Sequence, residues 1–299
     1  MTLWKTSRRT LACGTLPDGG RPLIMGILNV TPDSFSDGGR HFSVEKAIQA
    51  ACEMAAGGAS IIDIGGESTR PYSEPVDAAT EMDRVVPVIK ALAGRLDVPI
   101  SVDTSKAAVA KAAVEAGAEI INDVTGLEGD AAMIDVVVGS GAGVCVMHMQ
   151  GTPQTMQDDP TYEDVVAQIE QYLIARDRFC QTAGIDGNAI CLDPGIGFGK
   201  THDHNLTLMR AISRFAALGR PLLIGHSRKG FIRKTLQRAG CVRQTDEAEF
   251  DPTAGTLGAS MAAALGGAHV LRVHDVPQTI QALELFAACA PPPSSTAGR

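Results

Sequence analysis

Three acidic and amide side chains stand at the ends of short apolar segments and could bind a flat polar ligand. Asp103 ends the segment "VPISVD", Asn122 lies within "EIINDV", and Asp193 ends "NAICLD". One carboxylate can accept two parallel N–H donors, which suits a planar heterocycle with an amidine-like edge. Asp and Asn oxygens are also ligands for Mg²⁺, so these three residues alone leave a heterocycle site and a metal site equally open.

Basic side chains follow the last two apolar segments. "LLIGHSRKGF" places Ser227, Arg228 and Lys229 directly after one segment and at the start of a short helix, and "LRVHDV" places Arg272 and His274 at the end of the next. A helix N-terminus with cations around it favours anions such as phosphate. Alone, "SRK" is typical of a solvated turn, but together with "RVHD" it favours an anion site.

Glycine-containing loops could bring further groups to the same region. "GGESTRP" offers hydroxyls and the cation Arg70, and "GILNVTPDSFSDGG" changes from an apolar strand into a polar loop that still carries Phe35. "DPGIGFGK" lacks the spacing and the final Ser or Thr of a P-loop, so Phe198 within it is interpreted as a ring that stacks on a planar ligand. "HDH" at 202–204 has no third candidate ligand nearby in sequence, so zinc is not expected there.

Apolar segments alternate with segments of helical periodicity along the whole chain. The apolar segments are 22–29, 59–65, 98–103, 119–124, 143–149, 188–193, 220–227 and 268–274. Helical periodicity covers 43–56, 77–94, 105–116, 161–183, 203–217, 253–265 and 276–289. Eight strands alternating with helices predict an α/β fold, a single (β/α)₈ TIM barrel domain over residues 1–290. The alternation by itself does not exclude a doubly wound open sheet.

The polar ends of the predicted strands favour the barrel. These ends are Asn29, Asp63, Asp103, Asn122, His148, Asp193, His226 with Ser227, and Arg272 with His274. In a closed barrel all eight C-terminal strand ends surround one mouth, whereas an open sheet needs such ends only near its switch point. Alternation along a strand then directs Ser101 inward with Asp103, and Cys191 inward with Asp193.

The two ends of the chain lie outside the alternating pattern. Residues 1–20, with the turn "LPDGG", predict a hairpin that closes the bottom of the barrel, at the end opposite the mouth. Residues 291–299, "PPPSSTAGR", predict a disordered tail.

Composition excludes several classes of function. The 299 residues are 44% hydrophobic, which is enough for a large core, and the net charge of −8 offers no general attraction for nucleic acid or anionic lipid. The seven cysteines are scattered and form no CxxC pair, so neither a disulfide framework nor a zinc ribbon is expected. No apolar stretch reaches the roughly 18 residues of a membrane-spanning helix, and the N-terminus lacks the apolar core of a signal peptide. A cytoplasmic location is expected.

Eight motifs carry a family resemblance. In order they are "MGILNVTPDSFSDGG", "DIGGESTRP", "SVDTSK", "INDV", "VMHMQGTPQTMQ", "LDPGIGFGK", "SRKGF" and "LRVHDV". The chain resembles the bacterial dihydropteroate synthases along roughly residues 20–290. This resemblance implies a transferase of folate biosynthesis that joins (7,8-dihydropterin-6-yl)methyl diphosphate to 4-aminobenzoate, giving 7,8-dihydropteroate and diphosphate.

The resemblance also implies roles for individual residues. The pterin would be held by Asp103, Asn122, Met147, Asp193, Phe198 and Lys229. The diphosphate would be bound by Asn29, Thr69, Arg272 and His274, with Asn29 also binding Mg²⁺. The 4-aminobenzoate pocket would be built by Phe35, Thr69, Arg70, Pro71, Arg228 and Lys229. The catalytic residues would be Asp37, Asp103, Lys229, Arg272 and His274. A homodimer and competition by sulfonamides are implied as well.

The chemistry expected of such a site is dissociative. The electron-rich dihydropterin can delocalise the cation that forms when diphosphate leaves, and the negative charge of Asp103 stabilises it. An arylamine is a neutral nucleophile at pH 7, so no strong general base is needed. Two loops, one with Asp33, Phe35 and Asp37 and the other with Thr69, Arg70 and Pro71, would close over the site and exclude water.

Three residues depart from the family pattern. Tyr72 follows "STRP" where Gly is usual, and His226 and Gly230 flank "SRK" where small or hydroxyl residues are common. Sulfonamide sensitivity is therefore not predicted from the sequence. Alternative functions are a methyltetrahydrofolate-dependent methyltransferase barrel and a non-catalytic pterin-binding paralogue. The methyltransferase would not need "SRK" with "RVHD" for a diphosphate, nor the Phe35 lid. The paralogue could lose Asn29, Lys229 and Arg272, which are present here.

Overall fold

A computed structural model describes residues 2–31, 39–243 and 250–289 of the chain, with the backbone alone over 39–43. An antiparallel hairpin of β1 (Thr2–Lys5) and β2 (Thr10–Cys13) precedes eight parallel strands. The parallel strands are β3 (Leu23–Asn29), β4 (Ile61–Gly65), β5 (Ile100–Asp103), β6 (Ile120–Asp123), β7 (Gly143–Met147), β8 (Ile190–Asp193), β9 (Leu223–Ile224) and β10 (Val270–Val273).

The parallel strands curl into a nearly closed barrel. Their hydrogen-bonded order is β8-β7-β6-β5-β4-β3-β10-β9. Between the first and last of these, the Leu192 N–H donates to the Pro221 carbonyl at 2.9 Å, and Leu192 forms a parallel bridge with Leu222. This contact brings the two edges of the sheet together. The predicted (β/α)₈ barrel is confirmed, and the doubly wound open sheet is excluded.

Helices surround the barrel. They are α1 (Gly39–Ala56), α2 (Ala78–Leu92), α3 (Ala107–Ala116), α4 (Met133–Ser140), α5 (Val165–Thr182), α6 (His202–Arg210), α7 (Ile212–Ala216), α8 (Gly230–Arg238), α9 (Thr253–Leu265) and α10 (Val276–Cys289). The predicted helix over 203–217 is divided into α6 and α7 at Ala211. Periodicity missed α4, because its "VVV" run is poor in helix propensity and hides the buried pair Met133 and Val137.

The barrel interior holds its own apolar layer, separate from the one between strands and helices. It contains Met25, Ile61, Ile120, Cys145, Cys191, Leu223 and Val270. Cys191 lies two residues before Asp193, and Ser101 lies two residues before Asp103 and is fully buried. The alternation predicted for these two strands is therefore observed, with apolar or small residues beneath and carboxylates at the mouth.

The N-terminal hairpin packs under the opposite end of the barrel, as predicted. Trp4 is fully buried in the interior layer, and its Nε1–H donates to the Ala189 carbonyl at 3.0 Å, just before β8 begins. The predicted turn was wrong, however. The hairpin turns at Thr6–Arg9, where the Thr6 N–H donates to the Arg9 carbonyl at 2.8 Å, whereas "LPDGG" links β2 to β3.

Among the helices that the structure describes, none combines the length and apolar character that crossing a membrane requires. The predicted tail at 291–299 lies outside the described residues.

Candidate active site

A buried ion-paired network forms the floor of the barrel mouth. Arg272 on β10 donates from Nε to Asp63 Oδ2 on β4 and from Nη2 to Asp103 Oδ2 on β5, both at 2.6 Å. The Asn122 amide on β6 donates to the same Asp63 oxygen at 3.2 Å. Asp103 and Asn122 are direct neighbours across β5 and β6. The structure therefore brings three predicted site residues together around Asp63.

Asp63 was predicted only as a polar strand end, with no role in the site. The signal was present, because Asp63 lies two residues after the interior residue Ile61 and must also point into the barrel. Arg272 was expected beside the diphosphate, yet two of its three guanidinium nitrogens bind floor carboxylates. It therefore connects the floor with the anion side of the mouth.

Two floor oxygens are poised to accept hydrogen bonds from a ligand. Oδ1 of Asp63 and Oδ1 of Asp103 are buried and have no hydrogen-bond partner within the described part of the chain. Buried polar atoms are nearly always paired in native proteins, so such atoms in a mouth indicate a ligand with N–H donors. Burial raises the pKa of Asp103 to about 7, and this effect outweighs the opposing attraction of Arg272.

Asp193 forms the opposite side of the floor. It ends β8 directly beside Met147 of β7, and its Oδ1 accepts the Gly195 N–H at 2.7 Å. Burial raises the pKa of Asp193, although the nearby Lys229 ammonium favours its charged form. Asp193 and Met147 were both predicted to contact the pterin, and they lie together at the mouth.

Lys229 lies over the ring of Phe198, with its Nζ 4.2 Å from the ring centroid, and donates to the Ile196 carbonyl. Burial lowers the pKa of Lys229 to about 7, and the carboxylates of Asp193 and Asp103 oppose this shift. Lys229 is therefore within electrostatic reach of both acids. Lys229 and Phe198, both predicted, thus share one site with the floor.

The glycine loop that carries Phe198 rests on a buried lysine. The Lys200 ammonium donates to the carbonyls of Phe198 at 2.7 Å and His148 at 3.2 Å, and lies 3.1 Å from His148 Nδ1. Burial lowers the pKa of Lys200 well below its ordinary value. Lys200 therefore fixes this loop against the end of β7. Its place after "GFG" suggested at most a phosphate cradle, and its role as an internal support was missed.

The anion side of the mouth contains a neutral histidine. Ser227 Oγ accepts the backbone N–H of His274 at 3.2 Å and lies 3.0 Å from its Nδ1. Burial, together with the positive charges of Arg228 and Arg272, lowers the pKa of His274 to about 3. Because the Ser227 hydroxyl can donate to Nδ1, the tautomer that carries the proton on Nε2 is favoured, which leaves Nε2–H free to donate to an anion.

Arg228 is directed partly away from the mouth. Its guanidinium binds Asp275 at 2.6 and 3.2 Å, and its backbone φ is +58°. His226 is fully buried and contacts Ser260 of α9 at 2.7 Å, so it faces the helix rather than the site. Gly230 is exposed at the start of α8, and a Cβ there would meet no described atom within 4 Å.

Asn29 ends β3 at the edge of the floor. Its Oδ1 and Asp103 Oδ2 each lie 3.8 Å from the point that a Cβ on Gly65 would occupy. Gly65 thus leaves open space between the amide and the carboxylate. Thr69 lies half-buried and Arg70 and Pro71 lie exposed in the loop that follows β4. Asp33, Phe35 and Asp37 lie outside the described residues, so their roles stay predictions.

Tyr72 adopts a left-handed backbone with φ of +62°, which explains why Gly suits this position. Its N–H donates to the Pro153 carbonyl at 3.1 Å, and its hydroxyl lies 3.2 Å from Asp158 Oδ1. The loop after β4 is therefore docked on the loop after β7.

The donor set fits a magnesium ion that is carried mainly by a ligand's phosphates. Within the described ranges no three His, Cys, Asp or Glu side chains are grouped to hold a metal. Mg²⁺ commonly keeps several waters and binds one or two protein oxygens plus substrate phosphates. The Asn29 amide oxygen beside the open space at Gly65 can supply such a ligand.

Comparison with known proteins places the whole barrel in one family. The family model described as "Pterin binding enzyme" matches residues 25–274. The dihydropteroate synthase of Escherichia coli K12 is 44% identical over 280 residues, covering 94% of this chain and 96% of the relative.

Solved structures agree with the sequence match. A dihydropteroate synthase of Xanthomonas albilineans with 4-aminobenzoic acid is similar at a TM-score of 0.84 and 41% identity, covering 97% of this chain and 99% of that one. A Yersinia pestis dihydropteroate synthase in a sulfonamide drug complex has a TM-score of 0.82 and 42% identity, covering 96% and 98%. The chain therefore belongs to the pterin-binding enzyme family and, within it, to the dihydropteroate synthases.

Proposed function

We propose that this barrel mouth joins (7,8-dihydropterin-6-yl)methyl diphosphate to 4-aminobenzoate, releasing diphosphate and forming 7,8-dihydropteroate. The observation that carries the proposal is the floor of Asp63, Asp103 and Asn122 held by Arg272, with two buried carboxylate oxygens left to accept donors. The groups that can donate to an anion, at the ends of β9 and β10, lie beside this floor. Family membership supports the same reaction.

The pterin lies flat across the floor in this proposal. Asp103, Asn122 and Asp193 accept and donate along its amidine-like edge, because carboxylates and an amide match that pattern of N–H groups. Phe198 and Met147 lie against the ring faces. Lys229, held over Phe198, donates to a ring acceptor.

Loss of diphosphate comes before attack by the amine. The Asp103 carboxylate stabilises the positive charge that spreads over the dihydropterin ring. Arg272 and the Nε2–H of His274 donate to the departing oxygens, together with the Thr69 hydroxyl. Asn29 would hold a Mg²⁺ ion, which when bound neutralises charge on the diphosphate.

4-Aminobenzoate then occupies the space beneath the loops. Arg70 and Arg228 supply positive charge for its carboxylate, and Lys229, Thr69 and Pro71 complete the described wall. Phe35 and Asp37, outside the described residues, keep the roles that the family resemblance implies, Phe35 in the 4-aminobenzoate pocket and Asp37 in catalysis. The neutral amine attacks the cationic carbon directly, and sulfonamides, which the Yersinia pestis relative binds, compete for the same pocket.

The decisive experiment incubates the purified protein with the pterin diphosphate, 4-aminobenzoate and Mg²⁺, and measures both diphosphate and dihydropteroate. We expect stoichiometric formation of the two products. A methyltransferase barrel would instead consume methyltetrahydrofolate, and a pterin-binding paralogue would bind the pterin without releasing diphosphate. Saturating substrates without any diphosphate release would refute the proposed reaction.

The proposed working state is a cytoplasmic homodimer, with residues 1–290 forming one domain. This rests on the family resemblance alone. Light scattering on the eluted protein would measure the mass, and a monomer at micromolar concentration would contradict the dimer.

A further inference from the structure

One glutamate closes the base of the loop between β4 and α2, residues 66–77. Glu67 near its start accepts the backbone N–H of Val76 near its end, at 2.8 Å to Oε1. Its other oxygen, Oε2, accepts Lys106 Nζ at 2.6 Å. A single carboxylate thus joins both ends of the loop to each other and to the start of α3.

Lys106 is itself held from below. Its Nζ also donates to Glu81 Oε2 at 2.6 Å, and Glu81 is fully buried on α2. The Lys106 N–H donates to Thr104 Oγ1 at 3.2 Å, and Thr104 directly follows the floor residue Asp103. The lysine therefore spans the short distance between the floor strand and the loop.

The start of the loop is pressed against α2. A Cβ on Gly66 would lie 2.8 Å from Val85 Cγ1 and 3.1 Å from Glu81 Cγ. The backbone can approach the helix this closely because residue 66 is a glycine and has no side chain. The Gly66 carbonyl accepts Arg84 Nη1 at 2.7 Å. These contacts fix the first residue of the loop but not its far end. The far end is held by the hydrogen bond from Val76 to Glu67 and by the N-cap of α2 at Asp77.

The segment enclosed by Glu67 and Val76 carries the groups assigned to the second substrate and the leaving group. Thr69, Arg70 and Pro71 lie in it, and most of its residues are half-buried or exposed. Few apolar contacts fix such a segment, so its conformation depends on hydrogen bonds. Those of Tyr72 to the loop after β7 hold its middle, and those of Glu67 restrain its ends. Displacing a substrate-positioning group by about 1 Å can cost up to about 100-fold in rate.

We propose that Glu67 and Lys106 form a clasp that positions the β4–α2 loop, so that Thr69 and Arg70 meet 4-aminobenzoate and the leaving group at the correct height. The side chains of both clasp residues are bound to protein groups, so we assign them as positioning residues. The inference rests on the proposed function, because it concerns how the same site recognises its second substrate.

The test compares Glu67→Ala, Glu67→Gln and Lys106→Met with the parent protein. We expect Glu67→Ala to raise KM for 4-aminobenzoate by about tenfold, since the loop loses its two contacts through Glu67 and keeps those of Tyr72. Glu67→Gln keeps an acceptor for the Val76 N–H but turns an amide donor towards Lys106 Nζ, so it should recover only part of that loss. Binding of a hydroxymethylpterin without the diphosphate, measured by calorimetry, should stay within about twofold, because the floor is unchanged.

Loop release has an independent readout that needs no substrate. Tyr72 is 65% exposed and sits inside the clasped segment, so limited chymotrypsin digestion can cut after it. Mass spectrometry of the Tyr72–Ser73 cut should show cleavage about tenfold faster in Glu67→Ala than in the parent. Glu74→Ala, which removes an exposed carboxylate from the same loop, serves as the matched control and should change neither KM nor the cut.

Two results would overturn the clasp. One is an unchanged KM for 4-aminobenzoate with unchanged cleavage in both Glu67→Ala and Lys106→Met. The other is a loss of hydroxymethylpterin binding in Glu67→Gln as large as its rise in KM for 4-aminobenzoate. That result would make the Glu67–Lys106 cluster a support of the floor. Failure of the proposed function is distinguished from failure of the clasp, because the parent protein would then release no diphosphate.

Discussion

At the scale of single residues, Asp103 and Lys229 are the groups whose ionisation controls the site. Asp103 is buried and Lys229 half-buried at the mouth, and this desolvation brings the pKa of each to about 7, from below for the carboxyl and from above for the ammonium. Pterin recognition needs the carboxylate charged and the ammonium protonated. The two requirements overlap only in a narrow range around neutrality.

Binding of the hydroxymethylpterin should therefore weaken on both sides of neutral pH. As pH falls through about 7, Asp103 gains a proton and loses its charge, and as pH rises through about 7, Lys229 loses its proton. Lys229→Met should bind more weakly at neutrality and should lack the alkaline decline while keeping the acidic one. Calorimetric titrations from pH 5.5 to 9 would measure both limbs.

The exposed Lys234→Met variant is the control for this profile and should match the parent. Titration of the ligand itself is common to all three proteins and cancels when they are compared. An alkaline limb that persists in Lys229→Met would assign that limb to another group.

At the scale of elements, the loop after β8 shows how backbone geometry places a side chain. Gly195 has a φ of +70°, and a Cβ there would lie 1.9 Å from the His148 carbonyl oxygen. The loop can lie this close to the end of β7 only because residue 195 has no side chain. That closeness, together with the hydrogen bonds of Lys200, sets the height of Phe198 above the floor.

Gly195→Ala should consequently be far more damaging than Gly219→Ala. Gly219 has a φ of +79° but no described atom within 4 Å of its would-be Cβ, so the change there costs only the left-handed conformation, about 1 kcal/mol in the free energy of unfolding. At Gly195 a Cβ would also collide with the His148 carbonyl oxygen. We therefore expect Gly195→Ala to lower the free energy of unfolding by about 3 kcal/mol or more. If the loop instead moves to relieve the collision, pterin binding should weaken. Urea unfolding and calorimetry together would distinguish these outcomes. Equal behaviour of the two variants in both measurements would contradict the close packing of this loop.

At the scale of the whole molecule, the two ends of the barrel have different tasks. The hairpin end contributes to folding stability, and the mouth carries the reacting groups. The interior layer beneath the mouth is apolar and is sealed from below by Trp4 and Cys13 of the hairpin. The charged groups gather at the other end, where all eight strands deliver their last residues. A change at the hairpin end, opposite the mouth, should therefore affect folding without changing the reaction.

Trp4→Ala should lower the free energy of unfolding by about 3–5 kcal/mol, because it leaves a large cavity in the barrel interior and an unpaired Ala189 carbonyl. At a temperature where the variant remains folded, kcat and both KM values should equal those of the parent. Leu3→Ala on the neighbouring, 44% exposed position should change stability by no more than about 0.5 kcal/mol. Urea unfolding supplies the first comparison and product formation the second. A Trp4→Ala protein with normal stability would show that the hairpin does not seal the barrel.

Much of the fold could be predicted from the sequence because its signals are local. All eight strands of the barrel were found, since short apolar runs between turn residues need only a few neighbouring positions to be recognised. Polar residues at the strand ends indicated the mouth, and alternation indicated which side chains point inward. The eight motifs then implied the family, the pterin floor and the anion site at "SRK" and "RVHD".

Only the tertiary structure decided which of these groups meet. Arg272 binds Asp63 from 209 positions away, and Glu67 reaches Lys106 across 39, so neither contact leaves a trace in local periodicity. The same holds for Lys200, whose role as an internal support depends on the His148 carbonyl, 52 positions away. The physical reason is that propensity and periodicity act over a few residues, whereas closing the barrel fixes distances between residues that the chain itself leaves free.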